Sequence, residues 1–509
     1  MTHAVSAEQM RAIEGACFAS GGTAVELMGR AGRALSSAVK EKFPDGCRVA
    51  VLCGKGNNGG DGYAAASFLS ESGFCCSVWS VPLSAALSAE SSRYRELCEA
   101  QGLVCGDFPD LDGVDCIIDC LAGIGFQGRA RAELASIIDT INASSAWTLS
   151  ADVPSGLPSD GPVDADAPIV RADCTVSFGC VKRNLMLYPG RAFSGRVIAA
   201  DIGFSAEQVG EYGGSCFLVD DASVRPLRIA PPAWDAHKYR SGHCVVAGGF
   251  AGMEGAALMA ADAALETGTG LVTIVTEESS RPIVAGKLLE CMTTGVSRSA
   301  KDDLRRLLAG EFDRKKVSCL LLGPGLGRGE FQSDVYDAVI DAACGRIKTI
   351  ILDGDALWFL SRNGPFDAKG SSLVLTPHAG EAANLLGVSS SQIQNDPYSH
   401  AVLLSGKYGC TALLKGPSSV VAGASRQFIP MSGNRALASG GSGDVLAGIC
   451  AALCARGIEP DRAAALAAFV HGRAADLVAA ERPLHILRAT ELIGNLRRAF
   501  DGVFQPLDI

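Results

Sequence analysis

The sequence predicts an α/β protein of two doubly wound domains, each a parallel sheet layered between helices. Three observations carry this. Short apolar strands alternate with stretches of helical period along most of the chain. Most strands end in a Gly-rich or polar cluster, where open α/β sheets bind ligands. The alternation lapses between about Ser205 and Pro232, where Pro226, Pro231 and Pro232 punctuate the chain. The expected domains are residues 1–215 and 225–509, and 509 residues exceed one ordinary domain in any case.

Composition narrows the class. Hydrophobic residues make up 48% of the chain and supply ample core. A net charge of −10 and a pI of about 5.3 offer no basic surface for nucleic acid or an acidic membrane. No uninterrupted apolar run reaches membrane-spanning length. Glu8, Arg11 and Glu14 interrupt the first apolar residues, which argues against a signal peptide. Nineteen cysteines are scattered without a CxxC pair, and Cys116/Cys120 and Cys450/Cys454 lack neighbouring histidines for zinc. Reduced thiols in a cytoplasmic protein are expected.

In the first half, residues 6–40 place apolar side chains at helical spacing and predict two helices. Cys47–Cys53 then reads as a buried strand running into the loop Gly54–Gly62, with a helix from about Tyr63. This loop contains GxGxxG, the dinucleotide fingerprint. The next strand, Cys75–Val81, ends without the carboxylate that a ribose would need, so ordinary nicotinamide redox chemistry is disfavoured. Strands at Asp115–Asp119 and Trp147–Ala151 end in Asp119 and Asp152, each facing a Gly-rich loop. Asp119, Asp152 and Asn58 could together supply oxygen ligands to a cation, or Asp152 could act as a base. Each alone is more simply a helix cap.

GKGNNGGDG (54–62), DCLAGIGFQGR (119–129), SADVPSG (150–156) and ADCTVSFGCVKRNLMLYPG (172–190) together resemble the YjeF N-terminal family of NAD(P)H-hydrate epimerases, which have a Rossmann-like three-layer fold. The resemblance spans residues 1–215. It implies a potassium ion held by Asn58, Asp119 and Ser155. It also implies that hydrated nicotinamide is contacted by Asn57, Asn58, Gly59, Gly60 and Asp61, by Gly123, Ile124, Gly125, Phe126, Gln127, Gly128 and Arg129, and by Asp152. Lys182 falls on the family's lysine and is expected to assist catalysis. Departures from the pattern are Gly29-Arg30 for Glu-Asn, Lys55 for Pro, and Ala122-Gly123-Ile124-Gly125 for Phe-Gly-Thr-Gly.

The second half turns on Gly433–Gly457. Gly440, Gly441 and Gly443 permit a tight turn, and an apolar, Ala-rich helix opens at Ser442–Asp444. A Gly-rich turn opening a helix presents free amides and a positive dipole end to an anion. Asp444 is awkward beside a plain phosphate site but sensible as a base for a hydroxyl receiving a phosphoryl group. Strands are also expected at His243–Ala247, Leu271–Thr276, Cys319–Leu322, Thr349–Leu352, Leu373–Thr376 and Thr411–Lys415. Asp353 and Asp355 could touch magnesium and phosphate or cap the helix Ala356–Leu360, and capping is the simpler expectation. His378, one of seven histidines, is either a ligand contact or a structural residue.

HKYRSG, GPGLGRG, LDGDAL, LTPHAGEAANLLG, LLKGPSS and GNRALASGGSGDVLAG resemble, in order, the ribokinase-like ADP/ATP-dependent NAD(P)H-hydrate dehydratases. The resemblance implies that Lys415, Gly416, Pro417, Ser418, Ser419 and Gly443 hold ADP or ATP with Mg2+. It places Ala256, Gly325, Gly327, His378 and Asp444 around the hydrated nicotinamide. Small-molecule substrates are thus expected, homo-oligomers are usual in both families, and no stretch marks an interface. A vitamin or sugar kinase of the ribokinase superfamily fused to a ligand-binding domain is the alternative, because fold alone does not choose a substrate.

Overall fold

The computed structural model describes residues 1–81, 87–230, 238–481 and 487–504; Pro231, Pro232 and His237 fall outside them. The chain divides into two compact units, Thr2–Cys216 and Phe217–Ile509. All nineteen cysteines are free thiols.

In the N-terminal unit, β1 (Thr2–Val5) leads into α1 (Ala7–Ala19) and α2 (Ala24–Lys42). Strands β2 (Arg48–Cys53), β3 (Cys75–Ser80), β4 (Val104–Cys105), β5 (Cys116–Cys120), β6 (Trp147–Ala151), β7 (Cys174–Phe178) and β9 (Arg196–Ala200) form a seven-stranded sheet in the order β4-β3-β2-β5-β6-β7-β9. Every pairing in it is parallel. Its central strands are almost wholly buried, so they read as continuous apolar runs rather than alternating ones. Apart from this sheet, β1 pairs in parallel with β8 (Val181–Lys182), with Val5 beside Lys182.

One expectation fails in an instructive way. The helix after β2, α3, spans Asn57–Ser70 and begins six residues before Tyr63, so only residues 54–56 of the Gly-rich segment are a loop and the rest is its opening turns. The glycines serve close packing. A Cβ on Gly59 would lie 2.2 Å from the Gly54 carbonyl oxygen, and one on Gly32 of α2 would lie 2.5 Å from Ala64 Cβ in α3. The supposed seam is also structured: a helix at Ala206–Tyr212 has a Ser205/Gln208 capping box, and β10 (Cys216–Val219) follows.

The C-terminal unit adds β11 (His243–Ala247), β12 (Leu271–Glu277), β13 (Met292–Val296), β14 (Cys319–Leu322), β15 (Thr349–Leu352), β16 (Ser372–Leu375), β17 (Thr411–Leu414), β18 (Val420–Ala422) and β19 (Gln427–Pro430). Their order is β13-β12-β11-β14-β15-β16-β17-β18-β19-β10, parallel from β13 to β17 and antiparallel from β17 to β19. The helix Ser442–Ala455 is buried from Val445 onward. A Cβ on its Gly448 would meet the Ala260 carbonyl oxygen at 2.1 Å, so the neighbouring helix Glu254–Glu266 lies almost backbone to backbone with it. The helix Pro460–Glu481 has the length and apolarity of a membrane span, but 72% of that stretch is buried in this unit.

Candidate active sites

In the N-terminal unit the site forms at the C-terminal end of β6. Asp152 has φ of 65°, a left-handed conformation that costs a non-glycine residue energy and recurs at functional sites. Its Oδ1 accepts from the Phe178 amide at 3.1 Å and from the Lys182 ammonium. Lys182 is 1% exposed and also donates to the Phe178 carbonyl at 2.8 Å. The pair faces a cavity of about 470 Å3.

Of the residues expected to contact substrate, Asn57, Asn58, Asp61, Asp152 and the segment 123–126 line this cavity, and Lys182 joins them. Gly59 and Gly60 do not: they are buried inside α3 against Gly54 and Met28. Gln127 and Gly128 are also absent from the lining, and Arg129 is held at the surface by Asp164 and the Asp166 carbonyl. Glu14 of α1 is in the lining and was not foreseen as a site residue. No spacing in the sequence ties it to the strand ends; the β1–β8 pairing brings α1 there. Burial, together with the Asp152 charge, pushes the Glu14 carboxyl above its usual range. Burial also pushes Asp61 well above its usual range, reinforced by Asp152 and Glu14 and opposed by Lys182.

Below this cavity wall Asp119 is fully buried. It accepts four hydrogen bonds, from the Leu121 and Ser155 amides at 3.3 and 2.9 Å and the Ser150 and Ser155 hydroxyls at 2.8 and 2.5 Å. All four donors are neutral, and burial still pushes its carboxyl upward against them. Asn58 Nδ2 donates to the Ala122 carbonyl at 3.1 Å, and Ser155 Oγ accepts from the Ala122 amide at 2.8 Å. Asn58, Asp119 and Ser155 thus meet at Ala122. They are hard oxygen donors around a buried carboxylate whose hydrogen bonds bring no positive charge, which fits a monovalent cation. Gly29 and Arg30 lie outside the lining: a Cβ on Gly29 would clash with the Tyr94 hydroxyl at 2.6 Å, and Arg30 binds the Ile202 carbonyl at 3.0 Å.

In the C-terminal unit, Asp444 occupies the first turn of Ser442–Ala455, behind a left-handed Gly441. Burial and the Asp353 charge push its carboxyl up to about 7, against the pull of Lys415. The N-cap is Gly441, so Asp444 does not cap the helix. Lys415 Nζ donates to Asp353 Oδ1 at 2.7 Å and sits 3.5 Å from where a Gly443 Cβ would be.

Asp353 is therefore not a side-chain helix cap, contrary to expectation. It is 3% exposed and takes the Lys415 and Thr376 donors. Asp355, in the first turn of Asp355–Asn363, accepts from the Gly327 amide at 2.8 Å and from Arg328 at 2.7 Å. It thereby fixes the turn beside Gly325, whose Cβ position lies 3.1 Å from Ala256 Cβ.

His378 bridges in parallel to Lys415, which begins the turn Lys415–Ser419 between β17 and β18. Its Nδ1 accepts from the Gly380 and Glu381 amides at 3.0 and 3.3 Å, capping the helix Ala379–Leu386. The neutral ring therefore carries its proton on Nε2, and the side chain is 61% exposed. His378 is thus structural through Nδ1, while Nε2 lies 3.5 Å from Glu381 Oε1 at the exposed edge of the turn.

An ion-paired aspartate beside a cavity, and a second aspartate raised to about 7 in the first turn of a helix, give this α/β chain two candidate active sites. Residues 24–184 match the YjeF-related protein N-terminus, and residues 244–498 match the NAD(P)H-hydrate dehydratase family. The chain is 34% identical over 501 residues to the bifunctional NAD(P)H-hydrate repair enzyme Nnr of Coxiella burnetii, covering 98% of this chain and 99% of that one. It is 32% identical over 482 residues to the Escherichia coli enzyme of the same name, covering 94% and 89%. A ribokinase-like superfamily protein from Enterococcus faecalis shares the C-terminal fold at 24% identity and a TM-score of 0.50, covering 57% of this chain and 97% of that one. The chain belongs to the bifunctional NAD(P)H-hydrate repair enzymes.

Proposed function

We propose that the N-terminal site interconverts the R and S hydrates of NADH and NADPH, and that the C-terminal site returns the S hydrate to NAD(P)H at the expense of ADP or ATP. The observation that carries this reading is Asp444, whose carboxyl is pushed up to about 7 beside the Lys415 ammonium at a helix N-terminus. A base of that strength takes a hydroxyl proton efficiently at neutral pH.

In the C-terminal site Asp444 takes the proton of the C6 hydroxyl as that oxygen accepts a phosphoryl group. The amides of Gly441–Asp444 and the Lys415 ammonium stabilise the charge on the group in transfer. The phosphorylated oxygen then leaves, pushed by the ring nitrogen, and the 5,6 double bond returns. The turn Lys415–Ser419 with Gly443 holds the nucleotide, while Ala256, Gly325, Gly327 and the Nε2–H of His378 hold the nicotinamide. Magnesium would enter bound to the nucleotide phosphates. When bound, it neutralises their charge.

In the N-terminal site Asp152 exchanges a proton with the C6 hydroxyl and Lys182 holds Asp152 in place. Asn58, Asp119 and Ser155 would hold potassium, which would supply a positive charge beside the buried carboxylate. Nineteen free thiols suit a cytoplasmic setting.

The test mixes the full chain with R and S hydrates of NADH, potassium, magnesium and either ADP or ATP, and follows NADH absorbance. Recovery beyond the S fraction is expected. Recovery that stops at the S fraction would remove the epimerase reading. Absence of recovery, with stable phosphorylation of a vitamin alcohol instead, would replace the whole reading by the kinase alternative.

A further inference from the structure

Epimerisation at C6 needs two proton movements, and the residues assigned so far handle only one. C6 carries a hydroxyl and is bonded to the ring nitrogen. One way to invert it without redox chemistry is to open that C–N bond and close it on the other face. When Asp152 takes the hydroxyl proton, the oxygen forms a C=O bond and the C6–N1 pair moves to nitrogen. That nitrogen must then receive a proton to become a stable N–H. After rotation about C5–C6 the steps reverse: nitrogen attacks the other face of the aldehyde and releases its proton, and the oxygen regains one from Asp152. Nothing is oxidised and no net proton is consumed. A second group, distinct from Asp152, has to give and take the nitrogen's proton.

We propose that Glu14 is this second catalytic residue, the acid that protonates the ring nitrogen on opening and recovers the proton on closure. The inference rests on the epimerase reading of this site. Glu14 lines the same cavity as Asp152 and Lys182, and comes from a different element. Its position follows from the fold: Val5 of β1 pairs beside Lys182 of β8, and α1 follows β1 after one residue, Ser6. The helix is anchored by the capping box of Ser6 and Gln9 and by Met10 and Ile13, buried against Val5 and Cys180.

The charged groups around Glu14 are Asp152, Lys182 and Arg11, with Asp61 joining them across the cavity. Burial and the Asp152 charge favour a protonated Glu14, while Lys182 and Arg11 limit the effect. A carboxyl raised in this way and facing the same cavity as Asp152 is placed to give a proton to the substrate and take it back. Asp61 also lines the cavity, and burial with the Asp152 and Glu14 charges drives its carboxyl well above its usual range. It serves as a hydrogen-bond donor to the substrate.

The experiment measures R-to-S interconversion by the full chain with potassium present, across pH, for Glu14→Gln, Glu14→Asp and Asp61→Asn. Dehydration of purified S hydrate by the same preparations reports whether each is folded. Glu14→Gln should lower kcat for epimerisation by roughly 10²–10⁴-fold, change KM little, and abolish the fall in rate at alkaline pH. Glu14→Asp should recover part of kcat together with that alkaline limb. Asp61→Asn should act on KM and keep the limb. The proposal is overturned if Glu14→Gln keeps kcat within about twofold, or if Asp61→Asn removes the alkaline limb while Glu14→Gln retains it. A wild-type chain that fails to interconvert the hydrates would count against the epimerase reading itself, which separates the two failures.

Discussion

Lys415 and Asp353 form a buried ion pair, Nζ to Oδ1 at 2.7 Å, and Asp444 titrates under the influence of both. Asp353 raises the Asp444 carboxyl and Lys415 lowers it, so the pair tunes the base as well as supporting the nucleotide turn. Asp444 works as a base only when ionised. The dehydration rate should therefore climb as pH rises through about 7 and level off above it. Asp444→Asn should abolish dehydration, by at least roughly 10³-fold, and leave epimerisation intact, as measured on purified S and R hydrates. Equal loss of both activities would refute the division of labour.

The same carboxylate should cost stability. Its folded value of about 7 lies above the ordinary 3.8, so its favourable contribution is complete below about pH 4 and is lost as pH rises through 7. Asp444→Asn should raise the thermal midpoint of the C-terminal unit at pH 8 and change it little at pH 5, by calorimetry. A midpoint lowered at pH 8 would contradict the burial argument.

Asp152 and Lys182 make the corresponding pair in the N-terminal unit. Removing one partner leaves a buried charge unpaired, so Lys182→Met should destabilise this unit by about 3–5 kcal/mol. Adding Asp152→Asn should restore much of the urea midpoint without restoring epimerisation. If the double variant is no more stable than Lys182→Met, the pairing is not what holds this corner together.

Potassium should matter to one half only. Replacing it by a large organic cation should slow epimerisation and leave dehydration of S hydrate unchanged. Ser155→Ala should raise the potassium concentration needed for half-maximal epimerisation by roughly tenfold, about 1.4 kcal/mol for one lost ligand. An unchanged potassium dependence in Ser155→Ala would remove that residue from the site.

His378 allows its two nitrogens to be separated. Asparagine caps helices through its side-chain oxygen, so His378→Asn should keep the stability of the C-terminal unit while raising KM for S hydrate. His378→Ala should raise KM equally and lose about 1 kcal/mol as well. If His378→Asn leaves KM unchanged, the exposed Nε2 has no part in binding.

The strand ends were legible in the sequence because they are local: an apolar run, a carboxylate, a glycine. Asp119 and Asp152 stand out in this way, and Asp444 through the Gly-rich turn that opens its helix, whereas the role expected of Lys415 came from the family resemblance. The start of α3 was misjudged because glycine signals loops by default, whereas Gly59 lets the helix touch the Gly54 backbone and Gly60 makes room for the Ser91 and Met28 side chains. Asp353 was misread as a cap because its partner, Lys415, is 62 residues away and arrives only through the β15–β16–β17 pairing. Glu14 was missed for the same kind of reason. Its place is set by a two-residue parallel pairing between distant segments, which no periodicity announces.

That pairing also sets an order of events during synthesis. Thr2–Val5 is made well before its partner strand, which ends at Lys182. At roughly 5–20 residues per second the first strand waits on the order of ten seconds or longer for the chain that covers it. Until then Ala4 and Val5, which end fully buried, lie open to whatever meets nascent chains, such as chaperones or other apolar segments. The N-terminal unit therefore keeps its first strand uncovered until most of its own chain has been made.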